Sequence, residues 1–129
     1  MPPLKRILYV EDEKDLRAVA KLALESLGAF SVETCGSGEE ALEKAPSFQP
    51  DLIILDVLMP GMDGKQTLKE LKEIPTLENV PVVFMTAWVQ PGGIAQYKEA
   101  GAFDVIEKPF EPMSLAKKIN SIWGRVHRQ

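Results

Sequence analysis

Two segments of this chain, "LIIL" (52–55) and "VPVVF" (80–84), are apolar without interruption. A strand with one wet face alternates apolar and polar side chains. An unbroken apolar run of strand length therefore belongs to a sheet covered on both faces, and such sheets are built from parallel strands. Parallel neighbours need a crossover between them, usually a helix. The chain supplies these crossovers by changing period again and again. "RILYV" (6–10) reads as a first strand. From Leu16, apolar residues fall at Leu16, Val19, Ala20, Ala23 and Leu27, one face of a helix that Gly28 is placed to stop. "FSVETC" (30–35) alternates like an edge strand, and Ser37 with Glu40 forms a capping-box signal for a helix over 38–45.

The second half repeats the scheme. "LIILD" is followed by a helical stretch over 63–74 that ends at Pro75, with Asp63 placed to cap it. After the strand "VPVVFMT" (80–86), Pro91, Gly92 and Gly93 oppose helix. A long mobile loop and a shortened fourth helix, within 92–100 and stopped by Gly101, are expected there. "FDVIE" (103–107) is a fifth strand, and Leu115, Ile119, Ile122 and Val126 mark one face of a last helix over 112–126. Five strands alternating with five helices make a doubly wound α/β domain with a parallel sheet.

Composition narrows the class. A chain of 129 residues has room for one domain, taken as 1–129. A net charge of −4 argues against a basic nucleic-acid-binding face. The single cysteine, Cys35, excludes an internal disulfide or a CxxC site and reads as a buried thiol. No apolar run reaches membrane-spanning length, and "MPPLKR" lacks the apolar core of a signal peptide, so a cytoplasmic protein is expected. His127 and the neighbouring arginines read as surface charge at a helix end, and Trp123 as core or a packing edge.

In doubly wound folds, ligands bind beyond the carboxyl ends of the strands. The residues there are Glu11 and Asp12 after the first strand and Asp56 after the third. Thr86 and Ala87 follow the fourth, and Lys108 with Pro109 the fifth. Each has a mundane reading alone: a cap, a turn former, a strand threonine, a solvated lysine. Together, three carboxylates sharing one space repel unless a cation joins them, and hard oxygen donors suit Mg²⁺. With an ammonium and a hydroxyl added, the set fits a phosphoryl group.

These residues carry a resemblance. "VEDE" (10–13), "LDVLMPGMDG" (55–64), "MTA" (85–87) and "EKPF" (107–110) resemble, in order and spacing, the receiver domain of two-component response regulators. The likeness spans essentially the whole chain. It implies a flavodoxin-like sheet of strand order 2-1-3-4-5. It also implies that Asp56 accepts a phosphoryl group from a phosphohistidine on a sensor histidine kinase or phosphotransfer protein. Mg²⁺ would be held by Asp12, Asp56 and the backbone carbonyl of Leu58, with Glu11 acting through water. Lys108 would pair with phosphoryl oxygens, Thr86 would move to bond one of them, and the small Ala87 would leave room for their approach. A cis peptide at Pro109 is implied as well. The expected product is a conformational switch that controls protein–protein interaction, in a monomer or a weak phosphorylation-dependent dimer. It would catalyse nothing beyond its own phosphorylation and dephosphorylation. Because the chain ends after the fifth helix, a stand-alone receiver is expected.

Three departures stand out. The family's switch aromatic would fall at Val105, and Phe103, expected on the same strand face, is the nearest substitute; a plain core role for Phe103 competes with that reading. The glycine-rich stretch before the fourth helix is the second. The third is that Leu58 and Trp88 stand two residues beyond Asp56 and Thr86, where polar side chains would aim a hydrolytic water. Apolar cover there predicts slow self-dephosphorylation. Among competing functions, a pseudo-receiver acting as a phosphorylation-independent module would show a damaged acidic site, which this chain does not. An aspartyl phosphatase needs a second acid where Leu58 stands. A nucleotide carrier needs a Gly-rich loop after the first strand, and none is present.

Overall fold

The structure, a computed structural model, describes residues 3–87 and 93–127. The chain runs β1 (Arg6–Val10), α1 (Lys14–Gly28), β2 (Ser31–Cys35), α2 (Gly38–Phe48), β3 (Leu52–Asp56), α3 (Gly64–Lys72), β4 (Val82–Thr86), α4 (Gly93–Glu99), β5 (Asp104–Glu107) and α5 (Pro112–Val126). All four strand pairs are parallel, in the order β2-β1-β3-β4-β5. This is the doubly wound arrangement that the apolar runs predict, with the flavodoxin-type strand order that the resemblance implies.

The unbroken apolar runs are explained by two cores, one on each face of the sheet. Leu52 and Ile54 of β3 join Ile7, Tyr9, Val83 and Met85 beneath α1 and α5, where Leu24, Leu115, Ile119 and Trp123 pack. Ile53 and Leu55 point the other way, with Leu8, Val10 and Phe84, against Ala41 of α2 and Leu68 and Leu71 of α3. Successive strand residues thus serve opposite cores, and no position on β3 is left for a polar side chain until Asp56. Cys35 is buried in the second core, and burial pushes its thiol up to about 12.

Local signals hold with some corrections. Ser37 caps α2, its side chain accepting from the Glu40 N–H, but the Glu40 carboxylate accepts from Gly36 and not from Ser37. The box is therefore displaced by one residue. α2 also continues past residue 45 to Phe48; Pro46 lies in its final turn and removes a single donor. Asp63 caps α3 by accepting from the Gln66 N–H. α3 stops at Lys72, short of Pro75, as the chain tightens into i−3 bonds from Glu73 and Ile74. Gly28 does not take the left-handed conformation at the end of α1; Ala29 does, with φ 58°. Gly28 is required for room instead, since a Cβ there would lie 2.5 Å from the Phe30 ring. The buried stripe of α1 is Ala20, Ala23 and Leu24, while Val19 and Leu27 are exposed. The helix is thus rotated from the expected face.

α4 has seven residues and is as short as the glycines suggest. The loop expected to precede it, with Trp88, lies outside the described residues. Phe103 falls in a bend before β5 and packs into the α1/α5 core, while Val105 packs into the other. The expectation that they share a strand face is therefore corrected: the alternation begins only at Asp104.

Candidate functional site

The register of the sheet builds the site. Val10 pairs with Leu55, so the next residue of each strand brings Glu11 beside Asp56. Asp56 pairs with Met85, which sets Thr86 one step further out, and Thr86 pairs with Glu107, just before Lys108. Glu11, Asp12 and Asp56 each present a carboxylate oxygen within 4.8 Å of the others. Glu11 and Asp56 are buried, at 1% and 5% exposure, whereas Asp12 is open to solvent.

Lys108 closes the group from β5. Its Nζ lies 2.6 Å from Glu11 Oε1 and 3.3 Å from Asp56 Oδ2. The other oxygen of Glu11 accepts from the Glu13 N–H at 3.1 Å. The Lys108 N–H donates to the Thr86 carbonyl at 2.8 Å, tying the two loops together, and the Lys108–Pro109 bond is cis as expected. Thr86 is buried and Ala87 exposed. Leu58 is 68% exposed, so the described part of the expected apolar cover stands at the rim.

The charges are strongly coupled. Burial, and then the charge of Glu11, raise Asp56 to about 7, against the pull of Lys108. Burial works against Glu11 more than any single partner helps it, but the bonds from Lys108, Asp12 and the Glu13 N–H together hold Glu11 below the usual carboxylate range. Asp12 is raised, chiefly by its neighbour Glu11. Burial would lower Lys108, yet the two carboxylates beside it hold it above its ordinary value. Three acids share one lysine, which leaves the group short of positive charge. Clustered hard oxygen donors with an open side at Asp12 fit a divalent cation.

The sequence reading misses the role of Gly64. A Cβ there would stand 2.4 Å from the Asp56 carbonyl oxygen and 2.7 Å from the Val57 Cα. The Gly64 N–H donates to the Val57 carbonyl at 2.8 Å. The first residue of α3 is thus pressed against the backbone that carries Asp56. The signal lay in "MDG", where the aspartate drew attention as a cap and the glycine did not. Gly61, by contrast, has φ 75° and serves the tight turn expected of it.

A parallel sheet of this order with an acidic carboxyl edge defines a class of α/β domain that carries its chemistry on strand-end loops. Residues 7–120 match the family of response regulator receiver domains, and the chain belongs to it. It is 40% identical to the response regulator PleD of Caulobacter vibrioides over 119 residues, covering 91% of this chain and 26% of that protein. It is 36% identical to the alkaline phosphatase synthesis transcriptional regulatory protein PhoP of Bacillus subtilis, covering 94% of this chain and 49% of that one. The chain thus spans half or less of the length of these curated relatives. Among solved structures, the chemotaxis protein CheY4 of Vibrio cholerae superimposes with a TM-score of 0.85 at 31% identity, over 93% of this chain and 99% of that one. Among the described residues, no helix is long and apolar enough to cross a membrane.

Proposed function

We propose that this receiver accepts a phosphoryl group on Asp56 in a Mg²⁺-dependent reaction and thereby switches its binding to other proteins. The observation that carries the reading is the buried Asp56 carboxylate, held beside Glu11 and Asp12 with the Lys108 ammonium 3.3 Å away. The phosphoryl donor is a phosphohistidine on a histidine kinase or phosphotransfer protein. An oxygen of ionised Asp56 bonds to phosphorus as the P–N bond breaks, and the imidazole leaves with the partner. Asp12, Asp56 and the Leu58 carbonyl would hold Mg²⁺, with Glu11 acting through water. When bound, the ion neutralises phosphoryl oxygens and favours the ionised form of Asp56. Lys108 supplies the second positive charge, while Thr86 provides a hydroxyl at the phosphoryl position. Ala87 leaves the approach open.

The coupling of Lys108 to both Glu11 and Asp56 supports a switch. A phosphoryl group on Asp56 would change what the ammonium binds, and the Lys108–Thr86 backbone bond would carry that change to β4. Acetyl phosphate, with and without Mg²⁺, tests the reading by mass spectrometry of the intact chain. The expected result is a single phosphoryl adduct that requires Mg²⁺ and is lost in Asp56→Asn. An unmodified wild type would favour a phosphorylation-independent interaction module, and catalytic turnover of small phosphate esters would favour a phosphatase.

A further inference from the structure

Arg17 stands on the first turns of α1 with its side chain turned back toward the acidic loop. Its Nη1 donates to the Glu11 carbonyl at 2.8 Å and to the Asp12 carbonyl at 3.0 Å. The Glu11 N–H meanwhile donates to the Cys35 carbonyl at 2.9 Å. The peptide groups on both sides of Glu11 are therefore fixed, one by β2 and the other by a guanidinium. We propose that Arg17 is a positioning residue for the cation site, setting the direction in which the Glu11 and Asp12 carboxylates leave the loop. The inference rests on the reading of that acidic cluster as a Mg²⁺ site.

Two features support it beyond the bonds themselves. Asp12 is the exposed member of the cluster, and among the described residues its carboxylate makes no ion pair of the kind that Lys108 gives Glu11 and Asp56. Its placement depends more on its own backbone, and Arg17 holds that backbone. Gly36, after β2, leaves the guanidinium its space: a Cβ there would meet Arg17 Nη1 at 3.1 Å and the guanidinium carbon at 3.5 Å. The same Cβ would also meet Glu40 Oε1 at 3.5 Å, and its three nearest neighbours include no carboxylate of the cluster.

The sign of the effect separates positioning from simple charge. As a nearby cation, Arg17 would oppose Mg²⁺, so its removal would tighten binding. As a positioning group, its loss would weaken binding, by about tenfold for supports of this kind. Calorimetric titration of Mg²⁺ into the full chain tests this with Arg17→Met, Arg17→Lys and Gly36→Ala. The expected result is Mg²⁺ affinity weakened about tenfold in Arg17→Met, with a smaller loss in the other two. Tighter binding in Arg17→Met with Arg17→Lys unchanged would overturn the inference, as would wild-type affinity in both. If Arg17→Met does not fold, Arg17→Lys and Gly36→Ala decide between the same outcomes. A wild type that takes up no Mg²⁺ would overturn the cation-site reading and this inference together; wild-type binding that the variants share would overturn this inference alone.

Discussion

Burial works against the charge of Asp56, and Glu11 adds to the penalty. The consequence for stability has a definite sign. Its carboxyl group ionises near 3.8 in a free chain and near 7 in the folded, metal-free protein. Folding therefore gains nothing from ionisation here: the group adds no penalty below about pH 4, costs more as the pH rises to about 7, and costs a constant amount above that. Asp56→Asn should be more stable than wild type by about 1–3 kcal/mol at pH 8 in chelator, with the gain vanishing toward pH 4. Urea unfolding at the two pH values measures it. Equal stability at pH 8 would mean that Lys108 already balances Asp56. The site was legible at this scale because its members are chemically loud: carboxylates, a lysine and a threonine ending strands otherwise rich in apolar residues. Gly64 was not, because the demand for a missing side chain comes from backbone that only the folded turn brings near.

At the scale of elements, the connection from β3 to α3 is the most tightly specified. Asp63 caps the helix, and Gly64 places its first turn against the Asp56 and Val57 backbone. Gly64→Ala forces a carbon to 2.4 Å from a carbonyl oxygen that cannot rotate away, so the turn itself must shift. The expected cost is about 2–4 kcal/mol in chemical unfolding, with slower acetyl phosphate labelling because Asp56 moves with the turn. Asp63→Ala, by comparison, should cost about 1 kcal/mol and leave labelling unchanged. Element types and order were readable from periodicity, as were the ends of β1, β3 and α5. The rotation of α1 was not, since Val19 and Leu27 have the character of core residues, and only the folded packing, which buries Ala20, Ala23 and Leu24, tells them apart. Phe103 was misplaced for a related reason: alternation is a rule of strands, and Phe103 sits just before one starts.

For the whole molecule, the sheet is a rigid partition between two cores, and the acidic site is mounted on its edge. Any ligand bound only by the folded form adds to the stability of both cores at once. Mg²⁺ at a hundred times its dissociation constant should stabilise the chain by about 2.7 kcal/mol, read as a rise in melting temperature absent in Asp56→Asn. The lone thiol offers a second reading of the same quantity. Cys35 is 1% exposed at the end of β2, and burial lifts it to about 12. A maleimide can meet it as a thiolate only while the chain around β2 is open. The protein therefore carries its own clock: the rate at which its one thiol is alkylated counts openings of the fold, and adding Mg²⁺ should slow that clock without touching the cysteine.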